Sequence, residues 1–175
     1  MLKLIGIVVF VLVAAVLAMA MTKADSFRVQ RKTSIQAPPN KIFPLLEDFH
    51  NWRSWSPWEQ VDPSMNRSHS GAARGKGAVY EWDGNSKVGK GRMEITEVAP
   101  LAKVTIKLDF LKPFEGHNIA EFTLEPDGDS TNLTWAMHGP TPFVSKVMQV
   151  FISMDKMIGK DFEAGLANLK TVSEK

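Results

Sequence analysis

The sequence contains no cysteine among its 175 residues. This absence excludes disulfides, thiolate nucleophiles and zinc–thiolate sites together, so a domain with this sequence must be held by its core alone. Charge is also nearly balanced, with 21 Lys and Arg against 19 Asp and Glu. A nucleic-acid partner would require clustered Lys and Arg, and we therefore expect none.

Motifs for metal binding and nucleophilic catalysis are also missing. The four histidines, at positions 50, 69, 117 and 138, show no metal-ligand spacing and no HExxH pair. Neither Ser56 nor Ser145 lies in the G-x-S-x-G context of an acyl-transfer nucleophile. We predict no metal and no cofactor, and the sequence identifies no catalytic residue.

One uncharged apolar segment begins at Leu4 and ends at Met21. Its length is close to the ~20 residues that a helix needs to span a bilayer. A secretory signal is the alternative, because Lys3 precedes the segment and Ala18-Met19-Ala20 offers a small-x-small cleavage site. An uncleaved membrane anchor is favoured, since the apolar core exceeds the ~7–15 residues usual for a signal peptide.

The flanking charges bear on orientation. Lys3 favours a cytoplasmic amino terminus, whereas Lys23 and the cations at 28, 31 and 32 favour the opposite. Because most of the later cations fall in a predicted strand, we place the domain on the extracytoplasmic side of a single-pass protein. We divide the chain into an anchor with a short linker, residues 1–25, and a domain, residues 26–175. Cleavage near Ala20 would instead release a secreted protein.

The domain alternates polar and apolar residues in short segments typical of strands. A first strand opens at Phe27 and ends near Ile35, and a short helix is predicted over 41–49. Turn residues such as Asp83-Gly84-Asn85 then separate five further strands, predicted at 77–82, 88–98, 103–110, 118–124 and 132–137. Short strands with tight connections indicate an antiparallel meander.

Alternation places the apolar side chains of these strands on one face of the sheet, which requires a cover. The C-terminal segment supplies it. Thr141-Pro142 marks a helix start, and apolar residues then recur at spacings of three and four to about Val172. We predict one long helix that crosses the whole sheet, with Gly159 and Gly165 as its weak points.

This order of elements resembles the helix-grip fold, an α+β architecture in which an antiparallel β-sheet wraps around a long C-terminal α-helix. Supporting segments are Ala37-Pro38-Pro39, Trp55-Ser56-Pro57-Trp58-Glu59, residues 75–82 and Asp161-Phe162-Glu163. The sequence is similar to the SRPBCC superfamily in its polyketide cyclase/dehydrase-like branch, which is related to START-type lipid-binding domains. The resemblance covers nearly all of 26–174. It implies a hydrophobic cavity between helix and sheet and transfers no catalytic residue.

Both the sheet and the C-terminal helix are expected to line such a cavity. The candidate ligand-binding residues are Tyr80, Trp82, Met93, Ile106, Leu108, Phe122 and Trp135 from the sheet, with Met154, Ile158, Asp161 and Gly165 from the helix. The hydroxyl of Tyr80 and the indole N–H of Trp82 suit the polar group of a ligand, although both residues also suit a core. Three tryptophans lie close together in the sequence, at positions 52, 55 and 58. We favour an aromatic plug that closes one end of the core as their role, and the alternative is that Trp52, Trp55 and Trp58 form the mouth of the cavity.

Asp161 is the most informative polar residue, because helical periodicity places it within the apolar stripe near Gly165. A buried carboxylate must be paired or protonated. Pairing with an Arg or a backbone donor is favoured over a ligand-binding or acid/base role. Gly165 lies at the centre of the stripe, where its missing side chain allows a strand or a ligand to come close.

Residues 84–91 come within one residue of a phosphate-binding loop. They lack the Ser or Thr that would bind magnesium, and Met93-Glu94-Ile95-Thr96 continues as a strand rather than a helix. A hairpin turn is therefore favoured over nucleotide binding.

The sequence predicts a membrane-tethered domain that binds or transfers an apolar small molecule, either lipid-like or polycyclic. The alternatives are an enzyme of cyclase or hydrolase type, with Asp161, Tyr80 or Glu81 as acid/base, and a ligand-free interaction domain. An enzyme should show at least two convergent polar groups in the cavity, and a binder should show a mostly apolar lining. A closed domain should show no cavity larger than a water or two.

Overall fold

The computed structural model describes residues 1–175 apart from the side chain of Leu2. Helix α1 (Leu2–Met21) leads through residues 22–25 into strand β1 (Ser26–Ile35). Helix α2 (Pro39–Glu47), a 3-10 helix (Phe49–Ser54) and the short helix α3 (Trp58–Val61) follow. The start of α2 is fixed by Pro39, because a proline at the first helical position loses no hydrogen bond.

Six further strands complete a single sheet: β2 (Asn66–Gly71), β3 (Ala78–Asp83), β4 (Lys90–Ala99), β5 (Lys103–Lys112), β6 (Gly116–Asp127) and β7 (Ser130–Pro140). Their order is β1-β7-β6-β5-β4-β3-β2, and neighbouring strands are antiparallel. The predicted meander is confirmed. Strand β2 was not predicted, because its sequence NRSHSG has no apolar alternation and it is held at the sheet edge by pairing with β3.

The C-terminal segment forms two helices, α4 (Phe143–Phe151) and α5 (Met154–Ser173). The prediction of one continuous helix from Pro142 is therefore wrong in its first third. Ile152 has an extended backbone, and Ser153 stands at the N-cap of α5. The apolar periodicity runs through both helices, but α5 packs on β1 of the sheet, whereas α4 packs on α1.

Helix α5 supplies the cover that the sheet requires. Phe162, Leu166 and Leu169 are buried in the core against the apolar sheet face. An α+β helix-grip fold is thereby confirmed. Arg31 on β1 fixes the outer side of α5, since its Nε lies 2.6 Å from Oε1 of Glu163 and its Nη1 lies 2.7 Å from Oδ1 of Asp155.

The residues between α1 and β1 are joined to α4. The backbone N–H of Thr141 donates to the carbonyl of Asp25 at 2.7 Å, and Lys146 forms an ion pair with the Asp25 carboxylate. Ala20, in the last turn of α1, is fully buried. Helix α1 is long and apolar enough to cross a membrane, a property that signal sequences share.

Candidate functional site

A cavity of about 260 Å³ lies between α5, the sheet and the segment 52–58, which contains Trp52, Trp55 and Trp58 and is called the Trp-rich segment below. It is lined mainly by apolar side chains, and the predicted residues among them are Tyr80, Trp82, Met93, Leu108, Trp135, Ile158 and Asp161. Strands contribute alternate residues to this lining, because every second side chain of a strand points to the same face. The two layers therefore enclose the apolar space together.

Other predicted residues lie outside this cavity. Ile106 and Phe122 are fully buried in the core behind it, and Phe122 packs edge-on against Trp55. Met154 lines a second cavity. Gly165 lies against the sheet, since a Cβ built on it would stand 2.7 Å from Cζ3 of Trp135. Its missing side chain allows a strand residue to approach the helix.

The Trp-rich segment serves both the core and the cavity. Trp55 is fully buried, and its indole N–H donates to the carbonyl of Leu45 at 2.9 Å. Trp52 and Trp58 line the cavity, and the Trp52 N–H donates to the carbonyl of Leu46 at 3.2 Å. The segment was expected to be either an aromatic plug or the mouth of a cavity. Trp55 fits the plug, whereas the indoles of Trp52 and Trp58 form part of the cavity wall.

A buried carboxylate, that of Glu59, lines the cavity. Its Oε1 accepts a hydrogen bond from the hydroxyl of Tyr80 at 2.6 Å. Its Oε2 lies 2.7 Å from Nε of Arg67, which also donates to the carbonyl of Met65. Sequence reasoning missed Glu59 as a site residue. The available signal was a carboxylate within a segment otherwise rich in Trp.

Tyr80 is held in its neutral form by this arrangement. Burial, followed by its hydrogen bond to Glu59, raises the pKa of the Tyr80 hydroxyl well above its ordinary value. A phenol of this kind remains protonated at neutral pH. Its lone pairs are then available to accept a hydrogen bond, while its proton is already donated to Glu59.

Asp161 lines the cavity from α5, as its position in the apolar stripe predicts. Burial raises the pKa of this carboxyl above its ordinary value. Among the residues that the structure describes, none forms an ion pair or hydrogen bond with it, so the favoured pairing with an Arg or a backbone donor is not seen. Glu81 is exposed and does not line the cavity, which removes it from the candidate acid/base groups.

Within the segment 84–91, residues 84–89 are the hairpin connection between β3 and β4, and Lys90 and Gly91 already belong to β4. The N–H of Gly84 donates to the carbonyl of Gly89 at 2.9 Å, and β4 follows directly. Gly91 is required by packing, because a side chain there would collide with the ring of Trp82. The hairpin prediction is confirmed, and its Lys87 and Val88 lie at the rim of the cavity.

A second cavity of about 270 Å³ lies beneath α4 and the tip of the β5–β6 hairpin. It shares four lining residues with the first: Phe110, Met137, Met157 and Ile158. Its polar lining includes Thr141 and Gln149, whose Oγ1 and Nε2 are buried and, within the described part of the chain, have no hydrogen-bond partner. The shared residues show that the two cavities are adjacent.

An antiparallel sheet wrapped around a C-terminal helix, with an apolar cavity between them, defines the helix-grip class of α+β domains. Within that class, the family described as polyketide cyclase/dehydrase and lipid transport matches residues 26–174. The chain belongs to this SRPBCC-type family. Helix α1 lies outside the matched region.

Solved structures of low sequence identity share the fold. Protein CV1439 from Chromobacterium violaceum is 17% identical with a TM-score of 0.59, and the match covers 86% of this chain and 98% of that one. Mll3558 from Rhizobium loti is 17% identical with a TM-score of 0.60, over 84% and 96%. The Aha1 dimer from Colwellia psychrerythraea is 18% identical with a TM-score of 0.58, over 85% and 96%. No curated protein matches the sequence.

Proposed function

We propose that this protein binds or transfers a neutral, apolar small molecule, lipid-like or polycyclic, in the cavity between α5 and the sheet. The observation that supports this most directly is the apolar lining of that cavity. Pockets that bury most of a ligand are mainly apolar and carry a few placed polar groups. The methionines at 93, 137 and 157 give the lining shape adaptability.

The size of the cavity favours a ligand over a closed domain. Its volume of about 260 Å³ is several times the ~30 Å³ that one water occupies in the liquid. It also lies just below the ~300–1,000 Å³ usual for small-molecule sites. A compact ligand fits the first cavity alone, whereas an elongated ligand requires the second cavity as well.

The polar groups favour a ligand that donates a hydrogen bond. The lining offers the hydroxyl oxygen of Tyr80, whose proton is donated to Glu59, and the carboxyl of Asp161 from α5. A ligand carboxylate would add a third carboxyl group to a lining that already holds those of Glu59 and Asp161. Lys87 is the cation that lines the cavity, and it is exposed at the rim. A hydroxylated isoprenoid, sterol-like or polycyclic molecule is therefore favoured over a fatty acid.

Helix α1 is proposed as a single-pass anchor, with residues 26–175 as a domain on the extracytoplasmic side. The length and apolar composition of α1 support the anchor, and the side of the membrane is proposed from the flanking charges. Carbonate washing of membranes provides the test, and we expect the full chain to stay in the membrane pellet. Recovery of a soluble mature protein that begins at Met21 would favour the signal-peptide alternative.

An enzyme of cyclase type is the second candidate, because Glu59 and Asp161 both line the same cavity. The hydrogen bonding of Glu59 argues against it. Both of its oxygens are engaged, one by Tyr80 and one by Arg67, which is the arrangement of a buried charge that is fully paired. Binding is the function that this geometry favours.

Photolabelling tests the proposal. The full chain is reconstituted into phosphatidylcholine vesicles that contain a long-chain alcohol bearing a diazirine, and adducts are mapped by mass spectrometry after illumination. We expect adducts on cavity residues such as Met93 and Met137, and fewer adducts with the matched carboxylic acid. Adducts confined to α1 and α4 would contradict binding in the cavity.

A pair of variants provides the control. Ala120 lines the cavity, and Ala120→Leu is expected to reduce the cavity adducts several-fold by filling the space. Ala102 is exposed at the turn between β4 and β5, and Ala102→Leu is expected to leave them unchanged. Equal labelling of the two variants would indicate that the adducts do not arise from the cavity.

A further inference from the structure

Helix α4 is strongly apolar, yet it contributes nothing to the core. All of its residues are described, and none of them is buried. Phe143, Val144 and Met148 are exposed, and 71% of the surface of Phe151 is accessible. Exposed apolar side chains of this size, gathered on one short helix, indicate a surface that is covered in use.

The connection to α1 fixes where this helix lies. Only residues 22–25 separate α1 from β1, and Asp25 within them binds both Thr141 and Lys146 at the start of α4. Helix α1 contains 20 residues, about 30 Å of helix, which just matches the hydrocarbon thickness of a bilayer. When α1 spans the membrane, a helix in contact with it and tied to the residues at its end must lie at the membrane surface.

The sheet topology brings a second apolar element to the same level. Ser26 pairs with Pro140 at the end of the sheet nearest α1, and β6 pairs Ile119 with His138 close to that end. The tip of the β5–β6 hairpin, residues 111–116, therefore lies on the same side as α4. Its Phe114 is 61% exposed.

We propose that α4 and the tip of the β5–β6 hairpin form a lipid-contacting surface, and that the second cavity beneath them opens toward the bilayer. The occupant of the surface is the membrane that α1 crosses, so this inference rests on the proposed anchor. The two apolar elements face each other across the second cavity, which is lined by Phe114 and Pro113 from the hairpin and by Met148 and Ile152 from the helix side.

This placement gives the second cavity a role as the passage between the bilayer and the central cavity. Met157 and Ile158, at the start of α5, lie between the two spaces. Such side chains can change rotamer without breaking a hydrogen bond. The unpartnered donors Gln149 Nε2 and Thr141 Oγ1 can bind the oxygen of a ligand as it passes, which would satisfy two groups that are otherwise costly to bury.

Single-cysteine labelling tests the surface directly, because the full chain has no native cysteine. Phe151→Cys and Phe114→Cys are each labelled with an environment-sensitive fluorophore in vesicles of phosphatidylcholine and phosphatidylglycerol. Leu12→Cys, in the middle of α1, is the membrane control. Asp129→Cys is the aqueous control, because the β6–β7 turn lies at the far end of β1, where Ile35 pairs with Thr131.

We expect blue-shifted emission and quenching by lipid-attached nitroxides at 151 and 114, as at 12, and quenching by aqueous iodide at 129. A label at 151 that iodide reaches while the label at 12 stays in lipid would overturn this inference and leave the anchor intact. Iodide access at 12 would show that the anchor itself has failed, and this inference with it. Shielding of 151 from both quenchers would indicate a protein partner and would also overturn it.

A second experiment tests the passage. Both Phe151 and Ile152 are exposed, so Phe151→Glu with Ile152→Glu is expected to leave the fold intact and to move α4 away from the lipid. Labelling of Met93 by the diazirine alcohol should then slow several-fold at early times and reach the same final level. A matched change on β2, the sheet edge opposite β1, is Ser68→Glu with Ser70→Glu, and it should leave the rate unchanged. An unchanged rate in the α4 variant would exclude passage beneath α4.

Discussion

Helices α4 and α5 carry one continuous apolar periodicity, but they pack against different partners. Helix α5 directs its stripe onto the sheet and buries Phe162, Leu166 and Leu169. Helix α4 leaves Phe143, Val144 and Phe151 exposed and contacts α1 instead. The comparison shows that a period of 3.6 residues identifies an apolar face without identifying what covers it.

The largest difference in stability between the two helices is expected when one phenylalanine in each is truncated. Phe162 is 2% exposed and stacks on Trp135 with ring centroids 4.1 Å apart. Phe162→Ala is expected to lower the free energy of unfolding by ~3–5 kcal/mol. Phe151→Ala should change it by no more than ~0.5 kcal/mol. Urea unfolding of the full chain in one detergent measures both, and similar losses would show that α4 belongs to the core.

The next largest difference in stability is expected when one residue on the buried side of α5 and one on its exposed side are enlarged. Gly165→Leu places a side chain where Trp135 already lies, and overpacking of this kind costs ~1–3 kcal/mol. Ala164 is exposed on the same turn, so Ala164→Leu is the matched control and should be nearly neutral. Thermal unfolding compares the two variants. Equal melting temperatures would show that the contact between α5 and Trp135 is loose.

The two aspartates of α5, Asp155 and Asp161, are expected to change the stability of the protein with pH in opposite directions. This effect should be smaller than those of the two preceding comparisons. Burial raises the pKa of Asp161, so its contribution to stability falls as pH rises from the ordinary value of 3.8 through the raised pKa. The hydrogen bond from Arg31 lowers the pKa of Asp155, so its contribution is present above 3.8 and is lost as pH falls through the lowered pKa.

Substitution by asparagine separates these contributions. At neutral pH, Asp161→Asn should retain or increase stability, because it removes a desolvated charge, whereas Asp155→Asn should decrease stability. Urea midpoints measured from acidic to neutral pH provide the test. A loss of stability in Asp161→Asn at neutral pH would indicate that this carboxylate has a favourable partner in the folded protein.

The antiparallel sheet and its helical cover were predictable, because alternation in β4 to β7 and the spacing of Phe162, Leu166 and Leu169 depend on local sequence alone. The break at Ile152 was not, because no Pro or Gly marks it and the apolar pattern continues across it. Strand β2 is held by backbone pairing at the sheet edge, which leaves no apolar signature in its residues.

The candidate site was predicted only in part. Asp161 and Ile158 follow from helical periodicity, and Tyr80 and Trp82 from alternation in β3, so these positions were accessible from the sequence. Glu59 was marked only by its place in a segment rich in Trp, because its environment is made by Tyr80 of β3 and Arg67 of β2, which are distant in the sequence. The second cavity depends on how α4 leaves the sheet and contacts α1, which no local pattern encodes.

The pairing of β1 with β7 also has a consequence for biosynthesis. Strand β1 is made directly after α1, yet Ile35 finds its partner Thr131 only after about 100 more residues have been added, or roughly 5–20 s at a synthesis rate of ~5–20 residues per second. During that interval β1 has no partner strand, because β7 is the strand with which it pairs. Its exposed Arg28, Gln30 and Lys32 are the kind of side chains that keep a free strand edge from pairing with other chains.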